Sequence, residues 1–172
     1  MRAISLYSGG CDGLALAAAW AWMETVAFCE CDEACRKLIE ARHPGKPIYK
    51  YDTEVKADAL RADNIDPDGI DIILASPPCQ CASVAGKRMG DADERNRWPE
   101  ALRIVRDVKP RWFMGENVPG LLSVSDGRLF GAILRELAES GYSVAWRVWG
   151  AADVGAPHQR DRLCIVAYRD GK

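Results

Sequence analysis

The chain has 172 residues, a formal net charge of −2, 48% hydrophobic and 28% charged residues, which is the composition of one ordinary globular domain. This charge does not favour a nucleic-acid binder, although it leaves room for a local basic patch. No apolar stretch is as long as the roughly 20 residues that a membrane-spanning helix needs. The amino terminus lacks the pattern of a signal peptide, so a cytoplasmic protein is expected.

Seven cysteines occupy positions 11, 29, 31, 35, 79, 81 and 164. An odd number without a secretory signal favours reduced thiols over a disulfide framework. A zinc site built from Cys29, Cys31 and Cys35 with the Cys79–Cys81 pair is the alternative. Their spacing departs from the ligand pairs of structural zinc sites, so we expect no metal centre.

Short apolar runs alternate with amphipathic stretches along the chain, which predicts strands alternating with helices. The predicted strands are Ile4–Ser8, Val26–Glu30, Ile48–Tyr51, Asp71–Ser76, Arg111–Asn117, Tyr142–Trp149 and Arg162–Tyr168. The predicted helices are Leu14–Met23, a segment capped by Asp32 that runs to about Arg42, Pro99–Val108 and Leu129–Leu137. Residues 56–69 are predicted as a polar connection with one helical turn.

The connections between these elements define the fold class. The last two strands lack a helix-length connection and are predicted as antiparallel neighbours at the edge of the sheet. The pattern as a whole predicts a three-layer α/β sandwich, doubly wound around a seven-stranded, mostly parallel sheet, in one domain of residues 1–172.

Cys79 is the most informative position, because it follows two prolines directly after the apolar run 71–75. Prolines cannot continue a β-ladder, so the strand ends there. Ligands of open α/β sheets bind at the carboxyl ends of strands. A thiol held at this place by two residues of restricted φ is a candidate nucleophile, with a buried packing cysteine as the alternative.

The other strand ends carry a glycine-rich turn at residues 9–13 and the acids Glu30, Asp52 and Glu116. An acid after the second strand is suited to binding a ribose. The glycine turn lacks the spacing of a pyrophosphate-binding loop. A nucleoside cofactor without a diphosphate therefore fits better than a dinucleotide.

Several segments resemble, in order, the motifs of cytosine carbon-5 DNA methyltransferases. They are Ser5 to Leu14, Pro78-Cys79-Gln80 with Ser83 and the basic residues that follow, Asp93-Glu94-Arg95, Glu116-Asn117-Val118, and Pro157 to Arg162. The resemblance implies a Rossmann-like methyltransferase that uses S-adenosylmethionine.

The resemblance also implies the residues of the cofactor site. These are Tyr7, Ser8, Gly9, Gly10, Cys11, Asp12, Gly13, Leu14, Glu30, Cys31, Asp52, Thr53, Pro77 and Trp98. Glu30 would bind the ribose and Asp52 the adenine. Trp98 would flank the adenine, or else pack as a core aromatic.

The catalytic residues implied by the resemblance are Cys79, Glu116, Arg160 and Arg162. The Cys79 thiolate would add to carbon 6 of cytosine, Glu116 would bind ring nitrogen 3 and the amine, and Arg162 would reach the carbonyl oxygen. Arg160 would support the loop or a phosphate. Substrate contacts are implied for Pro78, Gln80, Ser83, Lys87, Arg88 and Asn117.

DNA is the implied partner, in a bacterium or a phage-infected host cell. The chain departs from the family at Cys11 and Asp12, where glycines are usual, and ends about ten residues after Arg162, before the usual target-recognition domain and closing motif. A minimal or phage-type methyltransferase with relaxed sequence specificity is therefore expected, with a second subunit or a homodimer as the source of target recognition. A partner-dependent binding module without turnover and a methyltransferase acting on RNA are the alternatives.

Overall fold

The computed structural model describes residues 1–78 and 96–169. Seven strands form one sheet: β1 (Arg2–Leu6), β2 (Glu24–Cys29), β3 (Ile48–Tyr49), β4 (Ile72–Ala75), β5 (Trp112–Asn117), β6 (Ser143–Trp149) and β7 (Arg162–Tyr168). Their order across the sheet is β3-β2-β1-β4-β5-β7-β6. The pairs among β1 to β5 are parallel, whereas β7 runs antiparallel to both β5 and β6. The predicted sheet and its antiparallel edge are confirmed.

Within the described residues, five α-helices flank the sheet: α1 (Gly13–Trp20), α2 (Glu33–Arg42), α3 (Ala57–Ala62), α4 (Trp98–Val108) and α5 (Arg128–Glu139). Asp32 caps α2, because its side chain accepts a hydrogen bond from the Cys35 amide at 2.8 Å, as the sequence predicts. The segment predicted as a connection contains the six-residue helix α3.

The core lies on both faces of the sheet, which gives the three predicted layers. The larger cluster joins the sheet to α3, α4 and α5, and includes Leu60, Ile104 and Ile133. On the opposite face Ala18 of α1 packs against Ile72 and Leu74, and Ile39 of α2 packs with Phe28. Burial of these side chains removes apolar surface from water and is the main stabilising contribution.

The register of the central strands sets the level at which the polar residues emerge. Leu6 of β1 pairs with Cys29 of β2 and with Ala75 of β4, so Tyr7, Glu30 and Ser76 follow at one level. The first strand is one place where the sequence prediction is wrong. It ends at Leu6, because Tyr7 has a left-handed φ of 57° and turns the chain out of the sheet.

Candidate active site

Three adjoining cavities lie at the carboxyl ends of β1, β2, β4 and β5, and Ser76 lines all three. The first has a volume of about 450 Å³ and is lined by Tyr7, Cys29, Glu30, Cys31, Lys50, Tyr51, Asp52, Ser76, Pro78 and Arg97. The second, of about 420 Å³, is lined mainly by the glycine turn and Leu14. The third, of about 240 Å³, is lined by Ser76, Pro77, Pro78, Glu116, Asn117, Val118, Arg160 and Arg162. A parallel sheet gathers strand ends at one edge, so these residues share one groove.

The Glu30 carboxylate fixes the turns around the first two cavities. Its Oε2 accepts a hydrogen bond from the Gly9 amide and its Oε1 from the Asp32 amide, both at 2.8 Å. Each oxygen retains a further lone pair, so the carboxylate can also accept a hydrogen bond from a ligand in the cavity. The binding of a ribose hydroxyl by Glu30 stays a prediction.

Asp52 is buried beside the first cavity, with 4% of its surface exposed. The Tyr7 hydroxyl and the Arg97 Nε both donate to its Oδ2 at 2.8 Å, and the Arg97 Nη2 binds its Oδ1. Burial acts to raise the pKa of Asp52, but the hydrogen bonds from Arg97 and Tyr7 outweigh it and hold the pKa below its ordinary value. Asp52 is thus an ionised hydrogen-bond acceptor at the cavity wall.

The Asp12 side chain faces away from these cavities, against the sequence expectation. It is 3% exposed and its Oδ2 lies 2.8 Å from the His43 Nε2. His43 in turn packs on Phe28, with the ring centroids 4.6 Å apart. Asp12 therefore joins the glycine turn to the end of α2, and Cys11, Gly10 and Gly9 remain in the lining.

Glu116 is oriented by two donors. The Ser76 Oγ donates to its Oε2 at 2.5 Å, and the Arg162 Nε donates to its Oε1 at 2.8 Å. These contacts follow from register, since Ala75 pairs with Gly115, the residue before Glu116, and Asn117 pairs with Leu163, the residue after Arg162. Arg160 lines both the glycine-turn cavity and the Glu116 cavity. The predicted catalytic residues in the described part of the chain are thus brought together.

Asn117 supports the proline segment more directly than it faces a ligand. Its side chain is 3% exposed, its Nδ2 donates to the Pro77 carbonyl at 3.0 Å, and its Oδ1 accepts from the Val118 amide at 2.9 Å. One N–H and one lone pair of the amide are thus bound to backbone. Asn117 supports the segment that leads to Cys79 and also lines the Glu116 cavity, so its substrate contact stays a prediction.

Besides Asp12, two predicted cofactor residues do not line the cavities. Trp98 is 1% exposed in the main hydrophobic cluster, which favours its core alternative. Thr53 is exposed in the short 3₁₀ turn at Asp52–Glu54. Cys79, Gln80, Ser83, Lys87 and Arg88 lie outside the described residues, as do Cys81 and the Asp93–Arg95 motif.

Arg97 and Ser76 are functional candidates that the sequence reasoning missed. Arg97 stands immediately before α4, and Ser76 immediately before the two prolines. The only sequence signal for them was this position beside predicted site residues. Their partners are 45 and 40 residues away in the chain and become evident only in the folded protein.

The described cysteines of the first cavity are unsuited to nucleophilic chemistry. Burial, with the nearby acids Asp52 and Glu30, raises the pKa of Cys29, and burial with Glu30 raises that of Cys31. Both remain thiols at neutral pH. Within residues 1–78 and 96–169, no three His, Cys, Asp or Glu side chains group as metal ligands would.

Comparison with known proteins agrees with this arrangement. The family model for C-5 cytosine-specific DNA methylases matches residues 1–172. The type II methyltransferase M.AquIA of Picosynechococcus is 36% identical over 99% of this chain and 73% of its own length. M.FnuDI of Fusobacterium nucleatum is 34% identical over 98% of this chain and 47% of its own length.

Solved structures share the fold. A protein described as a prophage-encoded DNA modification methyltransferase from E. coli superposes with a TM-score of 0.81 at 25% identity, over 98% of this chain and 47% of that one. A Spodoptera frugiperda DNMT2 structure superposes with a TM-score of 0.72 at 22% identity, over 99% of this chain and 50% of that one. The chain therefore spans about half the length of these proteins.

The fold and the groove define a Rossmann-like methyltransferase. Within that class, the chain belongs to the C-5 cytosine-specific DNA methylase family. Among the described residues, no helix has the length and apolar character needed to cross a membrane.

Proposed function

We propose that this protein transfers a methyl group from S-adenosylmethionine to carbon 5 of cytosine in DNA, through a covalent adduct of Cys79. One observation carries the proposal. Glu116 and Arg162 form an ion pair beside Pro77 and Pro78, directly before Cys79, in a groove that continues to Glu30 and Asp52. A base-binding site and a nucleoside-sized cavity thus adjoin.

The described residues fit the cofactor. The cavity of about 450 Å³ is walled by an aromatic ring, Tyr7, and by the buried acceptors Glu30 and Asp52. Such a combination of apolar walls and a few oriented polar groups suits a nucleoside. When bound, S-adenosylmethionine supplies the electrophilic methyl group.

The chain's own residues would prepare the base. The Cys79 thiolate adds to carbon 6 of cytosine, which moves an electron pair toward ring nitrogen 3 and makes carbon 5 nucleophilic. Glu116, in its protonated form, donates a hydrogen bond to ring nitrogen 3, which receives the displaced charge, and accepts one from the exocyclic amine, while Arg162 donates to the carbonyl oxygen. After methylation a base removes the carbon-5 proton, the electron pair re-forms the carbon 5–carbon 6 double bond, and the Cys79 thiolate leaves.

The base must reach this groove from a duplex. A cytosine inside the helix is inaccessible, so the protein has to flip it out of the stack. Arg160 is exposed at the junction of two cavities and is suited to contact a phosphate or support the base loop. Lys87 and Arg88 are proposed as further phosphate contacts.

We also propose that a second subunit or a homodimer supplies target recognition, in the cytoplasm of a bacterium or a phage-infected cell. Exposed apolar side chains around α1 support a further interface. Trp20 is 75% and Trp22 is 93% exposed, and Leu16 is 46% exposed. Contiguous exposed apolar patches can mark interaction surfaces. A rate that rises more steeply than linearly with protein concentration would support the dimer.

The test is incorporation of tritiated methyl groups into cytosine-containing duplex DNA. Wild type should label DNA and form a covalent adduct with 5-fluorocytosine DNA. Cys79→Ala should abolish DNA labelling and adduct formation but still bind S-adenosylhomocysteine. Cys81→Ala, two residues along the chain, is the matched control and should keep methyl transfer. Labelling of RNA in place of DNA, or cofactor binding without any adduct, would contradict the proposal.

A further inference from the structure

Arg97 is the central residue of a polar cluster on the wall of the first cavity. Its guanidinium binds both carboxylate oxygens of Asp52, through Nε at 2.8 Å and through Nη2. The Tyr7 hydroxyl donates to Asp52 and lies 3.1 Å from the Arg97 carbonyl oxygen. All three residues line the cavity, so the cluster faces whatever occupies it.

The backbone of the same turn is held separately. The Arg103 Nη2 donates to the carbonyl oxygens of Asp52 and Val55, at 2.9 and 3.1 Å. Arg103 also pairs with acids of its own helix, Glu100 and Asp107. Arg97 thus binds the side chain of Asp52, whereas Arg103 binds the main chain of the turn. This division allows the two effects to be separated experimentally.

The charge state of Asp52 decides which purine it can accept. An ionised carboxylate only accepts hydrogen bonds, whereas a protonated one can also donate. The 6-amino group of adenine is a donor, and the 6-oxo group of hypoxanthine is an acceptor. A carboxylate buried without a cationic partner becomes protonated more readily. Removing Arg97 would therefore alter the hydrogen-bonding character of the wall.

We propose that Arg97 is a positioning residue for the adenine end of the cofactor: it holds Asp52 as an oriented acceptor and so makes the cavity prefer a 6-amino over a 6-oxo purine. The inference rests on the proposed function. Tyr7 and Arg97 Nε both donate to Oδ2, whereas Oδ1 accepts only from Arg97 Nη2, so Oδ1 keeps a lone pair for the 6-amino group.

The experiment measures binding by isothermal titration calorimetry, without any methyl transfer. S-adenosylhomocysteine is compared with S-inosylhomocysteine, whose purine has a 6-oxo group in place of the 6-amino group and a proton on N1. The wild-type protein should bind the adenine compound about 10- to 150-fold more tightly, which corresponds to the free energy of one hydrogen bond to a charged group. The ratio should stay constant between about pH 5.5 and 8, because Asp52 stays ionised throughout.

Arg97→Leu should lower this ratio to within about threefold at the acidic end, because a protonated Asp52 accepts less well from the amine and can donate to the 6-oxo group. The ratio should recover partly as pH rises and Asp52 ionises. Arg97→Lys should restore a constant ratio, since it keeps the positive charge. Arg103→Leu should lower the urea midpoint but leave the ratio and its pH profile unchanged.

Other titratable groups around Asp52 are the same in wild type and in the Arg97 variants. They are Tyr7, Cys29, Glu30 and Glu54, with Lys50 at the cavity lining. A change in pH profile between wild type and Arg97→Leu therefore reports Arg97. Arg97→Gln is the second variant should Arg97→Leu not fold, and it should show the same lowered, pH-dependent ratio because it also removes the positive charge.

The outcomes separate the inference from the proposed function. Wild-type discrimination that persists unchanged in Arg97→Leu or, if that variant does not fold, in Arg97→Gln would overturn the role of Arg97 and leave the proposed function standing. Tighter binding of S-adenosylhomocysteine to Arg97→Leu would also overturn it, since Arg97 would then compete with the purine for Asp52. Failure of wild type to bind S-adenosylhomocysteine would overturn both.

Discussion

Replacing Asn117 by Asp tests whether its amide holds the segment that leads to Cys79. The substitution keeps the size of the side chain but puts an oxygen where Nδ2 now lies, 3.0 Å from the Pro77 carbonyl oxygen. The site is 3% exposed, so the new carboxylate would be a buried charge facing an acceptor. Asn117→Ala instead removes the donor without adding a charge.

The expected magnitudes differ between the two variants. Asn117→Ala leaves a buried carbonyl without its donor, which costs about 1–3 kcal/mol. Asn117→Asp adds an uncompensated buried charge, for which about 3–5 kcal/mol is typical. With a urea m-value of about 2 kcal/mol per M, the midpoint should fall by about 0.5–1.5 M for Ala and 1.5–2.5 M for Asp. Both losses are smaller than the stability of a typical domain, about 5–15 kcal/mol.

The pH dependence of the stability of Asn117→Asp separates the effect of the introduced charge from the effect of the side-chain shape. Near about pH 4 the introduced carboxyl is increasingly protonated and can donate to Pro77, so the deficit of Asn117→Asp should shrink. It should grow as pH rises, because the folded state disfavours ionisation of a group whose pKa is raised by burial. Urea unfolding at both ends of the range measures this difference.

Asn64→Asp is the matched control, since Asn64 is exposed and lies in a left-handed turn with φ of 59° that Asp also tolerates. It should change stability by less than about 0.5 kcal/mol. If Asn117→Asp matches this control at neutral pH, the amide does not support the proline segment and the reasoning is wrong.

Two further substitutions test the packing behind the groove. Gly115→Ala would place a Cβ 3.0 Å from the buried Trp98 ring and should cost about 1–3 kcal/mol in urea unfolding, whereas Gly131→Ala, which meets nothing within 4 Å, should not destabilise; equal effects would contradict the contact. Burial raises the pKa of the Asp12 carboxyl above its ordinary value of 3.8, and the hydrogen bond from His43 partly opposes this rise. The folded protein therefore binds the Asp12 proton more tightly than the unfolded chain does. The resulting contribution to the free energy of unfolding is complete below pH 3.8 and is lost as pH rises through the raised pKa. His43→Ala should make that loss steeper between about pH 4 and 7, and an unchanged slope would argue against the pair.

The strands were predictable because their signal is local. β4 is buried at all four positions and lies between β1 and β5, which agrees with its unbroken apolar run in the sequence. The ends of the elements were less predictable. Tyr7 reads as a strand residue by composition, but its positive φ places it in the turn.

The chemical types at the strand ends were also predictable. Glu30, Asp52 and Glu116 each follow an apolar run, and parallel strands bring such positions to one edge of the sheet. The resemblance to known motifs added the family. Neither signal indicated how the side chains pair.

Sequence alone thus determined which elements form and which reactive groups the chain presents, since hydrophobic periodicity and motifs are read over a few neighbouring residues. Only the tertiary structure decided which groups are used by the protein itself. Asp12 is hydrogen-bonded to His43, Asn117 to Pro77, and Arg97 to Asp52, which is 45 residues away in the chain. Such pairs depend on strand order, register and burial, because a polar group removed from water must find a partner wherever the fold provides one.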